Sequence, residues 1–280
     1  MKAHLGAAKS EGRPEADGDL VTWAAGTQLL ARATSLILYL RERDEPVTAG
    51  ELASALEIPL NTVYRLVRTL ELGGLVDRSR RPYVSLGLRL MDLGLAKQRQ
   101  VTRELAPVAL PVLESLTEST GETSLLLMPT GARAICILAA EPSRAIRLSY
   151  QPGRVLPLYA GASGKVMLPW VSAQLLETAL AQGDGQMLAG GRRLTAGALK
   201  AELRAIKASG CCVTHDELDA GASAVAAPVF TRGGQIFASV SVAGPSNAFN
   251  EAQVPALIDK VMAAAAEIGA RLQKSWQERS

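Results

Sequence analysis

The sequence predicts an α+β protein made of two unlike parts that a helix joins. Within the first 87 residues, three segments with apolar residues at helical spacing are followed by two short β-like segments. Beyond residue 107, strand-like runs and helical patterns are mixed without regular strand–helix alternation. We therefore expect an arm without regular structure over residues 1–23 and a helical domain ending in a hairpin over 24–87. A linker helix over 88–106 and a mixed domain over 107–276 should follow.

The first two helices of the N-terminal part are short and close together. Apolar residues recur at helical spacing from Leu29 to Leu40, and Pro46 ends that pattern. Thr48 and Glu51 then form a capping-box pattern, which typically opens a helix.

A third helix is predicted from Asn61 to the Gly73-Gly74 pair. Its apolar residues fall at positions i, i+3, i+4 and i+7, so they share one face: Val63, Leu66, Val67 and Leu70. Two β-like segments follow, over 75–78 and 83–86, and the turn between them carries arginines. Three helices and a small basic hairpin predict a winged helix-turn-helix, which places its third helix in the major groove of DNA.

Candidate DNA contacts lie on the polar face of the third helix and in the hairpin. Asparagine and arginine can bond adenine and guanine edges, and arginines of a wing suit phosphates or the minor groove. The residues are Asn61, Thr62, Tyr64, Arg65, Arg68, Arg78, Arg80 and Arg81. The alternatives are a solvated helix face with Asn61 as an N-cap and an ordinary charged turn.

The charge distribution favours the same interpretation. The net charge of the 280 residues is only +3. Residues 60–103 hold nine basic and three acidic side chains, a net +6, so the remainder sums to −3. A basic block beside a slightly acidic partner is typical of a DNA-binding module joined to another domain.

The second part is predicted from its alternating apolar runs and turns. The linker helix, from about 88 to 103, should end before Pro107, and another helix should end at Gly121. Strands are expected over 123–128, 134–139, 146–150, 211–215, 225–230 and 235–243. Helices are expected near 164–170, 172–181, 196–209 and 251–275.

The order and spacing of several motifs resemble the IclR-type transcriptional regulators. They include the 51–66 helix-turn-helix run, the Leu90-x-x-Leu-Gly94 linker and Thr120-Gly-Glu-Thr123. Further motifs are Leu156 to Lys165, Gly221-x-x-x-Val-Ala-Ala-Pro-Val229 and Ser239 to Pro245. The resemblance implies a GAF-like α/β effector-binding domain, operator DNA as a partner, and a homodimer or dimer of dimers. It also implies a small-molecule effector, often an organic or aromatic acid, while members either repress or activate.

By the same resemblance, an effector pocket lies between the segment before Lys165 and the loop after Cys212. Ala162 and Ser163 should precede a helix near Gly164, whose exposed amides would favour a carboxylate. The full candidate set is Leu148, Leu156, Leu158, Ala162, Ser163, Thr214, Asp216, Glu217, Ala222, Ala224, Ser239 and Ser241. The alternative for each is structural packing.

Enzyme chemistry finds little support in the sequence. The Gly161-Ala-Ser-Gly-Lys165 run lacks the glycine and hydroxyl positions of a P-loop and the final glycine of a nucleophile elbow. His215 and Asp216 are adjacent on a predicted strand and would point to opposite faces. We therefore expect no catalytic residues, no metal and no cofactor.

The remaining observations concern compartment and competing functions. Three cysteines without metal-ligand spacing, and no apolar run long enough to cross a bilayer, predict a cytoplasmic protein without a membrane partner. Two other functions stay open: a regulator whose second domain only oligomerises, and a hydrolase of GAF-like architecture.

Overall fold

A computed structural model describes residues 27–145, 147–231 and 233–278. The predicted arm over 1–23, with His4, lies outside the described residues. The chain divides into two compact units, one up to Leu93 and one from Gly94. Along the described part of the chain, no helix combines the length and the apolar character needed to cross a membrane.

The first unit contains three helices and a small three-stranded sheet. The helices are α1 (Gln28–Arg41), α2 (Ala49–Ala55) and α3 (Leu60–Leu72). The strands are β1 (Val47–Thr48), β2 (Val76–Asp77) and β3 (Tyr83–Leu86), antiparallel in the order β1-β3-β2. The capping box at α2 forms as predicted: Thr48 Oγ1 accepts from the Glu51 amide, and Glu51 Oε2 accepts from the Thr48 amide.

The amphipathic face of α3 supplies the centre of this unit's core. Val63 and Val67 are fully buried, and Leu66 and Leu70 nearly so. They pack with Leu36 and Leu40 of α1, Leu52 of α2 and Val84 of β3. One face of α3 is therefore fixed by packing, which leaves the opposite face to solvent.

A single helix, α4 (Arg89–Thr120), replaces the two helices that the sequence predicted on either side of Pro107. The expected break is wrong because Pro107 and Pro111 both lie inside α4. Each interior proline costs roughly 3 kcal/mol. The buried Leu105, Val112, Leu113 and Leu116 lie at helical spacing across both prolines, and each contributes about 1.5–3 kcal/mol. The free energy gained by burying these four side chains therefore matches or exceeds the cost of the two prolines.

The second unit is built on a six-stranded antiparallel sheet in the order β6-β5-β4-β9-β8-β7. The strands are β4 (Thr123–Thr130), β5 (Arg133–Ala140), β6 (Val155–Pro157), β7 (Cys212–His215), β8 (Ala222–Phe230) and β9 (Ile236–Pro245). The expected strand over 146–150 is wrong, since residues 147–150 have no regular structure; Ile146 lies outside the described residues. Arg232, between β8 and β9, likewise lies outside the described residues.

Helices cover both faces of the sheet. One face packs against α5 (Ala162–Lys165), α6 (Ala173–Gly183) and α7 (Ala196–Ser209), with a 3₁₀ turn at Leu168–Trp170. The other packs against the second half of α4 and α8 (Val254–Gln277). The helix predicted over 164–170 is thus split into α5 and the 3₁₀ turn. The result is a three-layer α+β domain, as the mixed pattern predicted.

Candidate DNA interface and effector pocket

The outward face of α3 carries polar and basic side chains on one stripe. Asn61, Tyr64, Arg65 and Arg68 are exposed, and Thr62 is half-buried. Asn61, Arg65 and Arg68 follow one another at steps of four and three residues, so their side chains lie along one helix face, with Thr62 and Tyr64 beside them. All five predicted residues of this helix are therefore brought together on the surface opposite the core.

The start of α3 excludes the N-cap interpretation of Asn61. The helix begins at Leu60, and Pro59 is its N-cap residue. The backbone carbonyl of Pro59 accepts from the amides of Thr62 and Val63, and no side chain caps this end. Asn61 is the second residue of the helix, so its exposed amide group is free to make other contacts.

The hairpin between β2 and β3 distributes its three arginines unequally. Arg80 and Arg81 are exposed in the turn, which Asp77 stabilises by accepting from the Ser79 amide at 2.7 Å. The pKa of Asp77 is held below its ordinary value, chiefly by that hydrogen bond. Arg78 instead lies largely buried, 3.6 Å from Glu71 at the end of α3. Arg80 and Arg81 are thus available to a ligand, whereas Arg78 supports the hairpin.

A cleft in the second unit collects most of the predicted effector residues. It lies beside α5, between the ends of β4, β7 and β8 and the segment before β6, and encloses about 400 Å³ including its open mouth. Eight of the twelve predicted residues line it: Leu148, Leu156, Ala162, Ser163, Thr214, Glu217, Ala222 and Ala224.

The other four predicted residues do not line the cleft. Leu158 is buried in the core beneath it. Asp216 has a positive φ and accepts from the Gly221 amide, so its side chain closes the 216–221 loop. Ser241 accepts a hydrogen bond from Ser163 Oγ at 2.8 Å, one layer behind the lining. Ser239 is fully buried, and its Oγ has no partner within the described residues.

The first amides of α5 are already capped by side chains from the opposite wall. The helix begins at Ala162, two residues earlier than predicted. Glu217 Oε2 accepts from the Gly161 amide at 2.9 Å, and Thr214 Oγ1 accepts from the Ala162 amide at 3.0 Å. A carboxylate could use these two amides only by displacing the caps, so the predicted anion site at this helix end is partly occupied by the protein itself.

Leu218 and Gly161 fix the shape of the cleft between these walls. Gly161 has φ 76°, and a Cβ added there would lie 2.4 Å from Leu218 Cδ1. A side chain at this position would therefore both strain the backbone and push Leu218 away.

Behind Glu217 lies a network of four charges. Lys165 Nζ lies 2.5 Å from Glu202 Oε2 and 2.5 Å from Glu217 Oε1. Arg192 donates to the same two glutamates at 2.8 and 2.7 Å. Only 1% of the Lys165 side chain is exposed, and 7% of the Glu217 side chain. Two cations and two carboxylates balance, which is the condition for burying them.

The lowered pKa of Glu202 shows that its two cationic partners stabilise its ionised form. Burial raises the pKa of Glu202, but hydrogen bonds and charges from Lys165 and Arg192 outweigh burial and hold it below its ordinary value of 4.5. Burial lowers the pKa of Arg192, but hydrogen bonds and charges from the same two glutamates outweigh burial and leave this pKa raised. The ion pairs with Lys165 and Arg192 thus favour the charged form of Glu202, and the same two cations hold Glu217 at the edge of the cleft.

Several lining residues were missed at the sequence level, chief among them Tyr150 and Asp219. Tyr150 Oη donates to Asp219 Oδ2 at 3.2 Å, and Arg154 donates to that same oxygen at 3.1 Å. The Arg154 guanidinium carbon also lies 4.2 Å from the centre of the Tyr150 ring. Burial raises the pKa of Tyr150 to about 12. No local motif marks this cluster, because Tyr150 and Asp219 are 69 residues apart.

Among the described residues, the groups that a hydrolase would need are not brought together. Ser163 Oγ bonds Ser241, whereas His215 Nδ1 lies 2.7 Å from Ser223 Oγ. Ser223 is in turn hydrogen-bonded to Ser246. His215 is thus the last residue of β7 with its ring nitrogen hydrogen-bonded, and it lies away from Ser163 in the hydrogen-bond network.

A winged helix-turn-helix followed by a pocketed α/β domain defines a DNA-binding transcriptional regulator. The model for the bacterial transcriptional regulator IclR C-terminal domain matches residues 99–270, and the IclR helix-turn-helix model matches residues 29–80. The chain belongs to the IclR family.

Its relatives are named as transcriptional regulators. The regulator KipR of Bacillus subtilis is 31% identical over 81% of this chain and 90% of its own length. BhcR of Paracoccus denitrificans is 29% identical over 93% of both chains, and the repressor AllR of Escherichia coli is 25% identical over 81% of this chain and 83% of its own. Such regulators are non-enzymatic DNA-binding proteins, which agrees with the prediction for this chain.

Solved structures show the same fold. A transcriptional regulator from Rhodococcus sp. RHA1 has a TM-score of 0.60 and 28% identity, covering 88% of this chain and 98% of its own. The IclR protein of Thermotoga maritima has a TM-score of 0.58 and 25% identity, covering 88% and 99%. An IclR homologue from Microbacterium hydrocarbonoxydans, complexed with 4-hydroxybenzoate, has a TM-score of 0.57 and 22% identity over 88% and 99%.

Proposed function

We propose that this protein binds a specific operator through α3 and the hairpin, and that a small molecule in the cleft of the second unit controls that binding. The observation that carries the first half is the stripe of exposed polar and basic side chains on α3. Its length and position suit a recognition helix. Arg65 and Asn61 have the chemistry to read bases, and Arg80 and Arg81 the chemistry to hold phosphates.

Operator binding is testable with the DNA upstream of this chain's own gene. Fluorescence anisotropy at fixed salt should show a complex that competitor DNA of unrelated sequence displaces only at large excess. Arg80→Ala should lower the affinity for operator and for unrelated DNA by similar factors, whereas Asn61→Ala should lower only the affinity for the operator. Equal affinity for operator and unrelated DNA would argue against sequence-specific regulation.

The second half of the proposal rests on the chemistry of the cleft. Its walls are mostly apolar. The hydroxyls of Ser163, Thr214 and Ser223 and the carboxylates of Glu217 and Asp219 are polar groups among the lining residues. Such a lining suits a small, largely apolar molecule with one or two polar groups. We propose an organic or aromatic acid, the class that the sequence resemblance implies. Since none of the described residues lining the cleft is lysine, arginine or histidine, the lining itself offers a carboxylate only neutral donors.

Calorimetric titration of the full chain with benzoate, 4-hydroxybenzoate and short-chain hydroxy acids tests the effector class. We expect saturable heat for at least one acid and a change in operator affinity at the same concentration. A bulky replacement, Ala224→Phe, should abolish acid binding without altering DNA binding in the absence of acid. Heat without any change in operator affinity would instead favour a second domain that only oligomerises.

We further propose a homodimer or dimer of dimers, because large apolar side chains are exposed near the start of α4. Leu88, Met91 and Leu95 are 83%, 66% and 52% exposed at helical spacing. Contact with a second copy would remove this surface from water. Sedimentation velocity should give at least a dimer, and Met91→Glu should shift it toward the monomer.

Repression is the proposed sign of regulation. It takes support from the AllR relative, which is named a repressor. A reporter under the operator should be more active in a strain that lacks this gene, and reduced activity there would indicate an activator.

A further inference from the structure

Two donors converge on a single carboxylate oxygen at the wall of the cleft. Tyr150 and Asp219 both line the cleft, and Asp219 Oδ2 accepts from Tyr150 Oη and from Arg154 at 3.2 and 3.1 Å. Arg154 does not itself line the cleft; it stacks on the Tyr150 ring and reaches this oxygen by a hydrogen bond. The position of Asp219 Oδ2 is therefore a prepared site for an anionic oxygen, filled by the protein's own side chain.

We propose that Arg154 and Tyr150 form the subsite for the effector's carboxylate, and that Asp219 occupies this subsite when no effector is bound. The inference rests on the proposed acid effector and supplies the cation that the lining lacks. An incoming carboxylate replaces the Asp219 carboxylate, so the charge around Arg154 stays balanced throughout.

The surroundings favour such an exchange. Asp219 is 42% exposed by side chain and lies on the 216–221 loop, so it can turn into water without burying a charge. Tyr150 is 5% exposed, and its raised pKa of about 12 keeps its hydroxyl a donor. Arg154 is always charged, and its stacking on Tyr150 holds the guanidinium in place.

Glu217 does not compete for these donors. It is held by Lys165, Arg192 and the Gly161 amide on the opposite wall. A bound acid would then lie with its carboxylate toward Arg154 and its apolar body toward Leu148 and Leu156.

The test uses full-length protein and two matched probe pairs, 4-hydroxybenzoate with 4-hydroxybenzamide and benzoate with benzamide. The variants are Arg154→Gln, Tyr150→Phe and Asp219→Asn. Arg147→Gln serves as the control, because Arg147 carries the same charge in the same segment but pairs with Glu141 outside the lining. Thermal unfolding confirms that each variant is folded.

We expect Arg154→Gln to weaken acid binding by roughly tenfold or more, the scale of one charge-assisted hydrogen bond. Amide binding and the Arg147→Gln control should stay within twofold of the wild type. Tyr150→Phe should lower acid affinity less, and Asp219→Asn should raise it, because the internal competitor loses its charge.

Two failures are distinguishable. If the wild type binds neither acid, the proposed acid effector is refuted, and so is the proposed carboxylate subsite that depends on it. If the wild type binds an acid and Arg154→Gln binds it equally well, the Arg154 subsite alone is overturned. Weaker acid binding by Asp219→Asn would overturn the exchange, since Asp219 would then be assisting the effector.

Discussion

Replacing Lys165 by methionine tests the buried charge network directly. Methionine keeps the apolar length of the side chain and removes only the ammonium group, which lies 2.5 Å from both Glu202 and Glu217. Glu217 is almost fully buried, so it cannot recover the lost partner from water. Arg192 still donates to both glutamates and limits the damage.

The magnitude follows from burial. Breaking a buried ion pair by removing one partner typically costs about 3–5 kcal/mol. Because Arg192 remains, we expect the lower end, about 3 kcal/mol of unfolding free energy. For a domain of this size, each kcal/mol shifts Tm by roughly 2–4 °C, so the expected loss is about 6–12 °C.

Urea unfolding at pH 7, followed by circular dichroism, measures the effect. Lys200→Met is the matched control, since Lys200 is half exposed and its nitrogen lies 3.8 Å from Glu177. That exposed pair should contribute at most about 0.5 kcal/mol. Equal, small losses for the two variants would refute the claim that the Lys165 network stabilises the fold, as would a Lys165→Met protein more stable than the wild type.

Three further predictions concern pH, DNA and packing. The pKa of Glu202 is lowered on folding, so its contribution is complete above 4.5 and is lost as the pH falls through the folded value; the stability gap between the wild type and Glu202→Gln should narrow below pH 4.5 in urea titrations, and a constant gap would contradict this. Arg65→Ala should weaken operator binding by about 1–3 kcal/mol in anisotropy assays, whereas Arg204→Ala on the exposed side of α7 should not. Gly164→Ala should cost roughly 1–3 kcal/mol, because its Cβ would lie 2.5 Å from the Pro157 carbonyl oxygen. Gly197→Ala in α7 meets nothing within 4 Å and should gain about 0.5–1 kcal/mol; equal effects of the two alanines would contradict the packing argument.

The elements with a strong local signal were predicted well. The helix expected over 196–209 has the same first and last residues as α7, and the capping box at Thr48 begins α2 as expected. Both depend on interactions between residues a few positions apart, which a sequence displays directly. The exposed face of α3 follows from the same periodicity, since burying one face fixes the other.

The errors fall where distant contacts outweigh local preference. Pro107 should end a helix, yet α4 continues because its buried leucines pack against the sheet. The 147–150 segment has apolar alternation, but the strand that pairs with the free edge of β5 is β6, through Arg133 to Ile135. Neither outcome can be read from neighbours in the chain, because the deciding partners are far away in sequence.

The sequence alone determined the class of this protein: its winged helix-turn-helix, the exposed polar and basic face of α3 and its family follow from periodicity, charge and ordered motifs. Only the tertiary structure decided what the cleft contains. In the folded protein, Thr214 and Glu217 accept hydrogen bonds from the first amides of α5, and Arg154 and Tyr150 both donate to Asp219. Hydrogen bonds between residues 50 to 70 positions apart in the chain leave no local pattern, because they depend on how strands and loops meet in space.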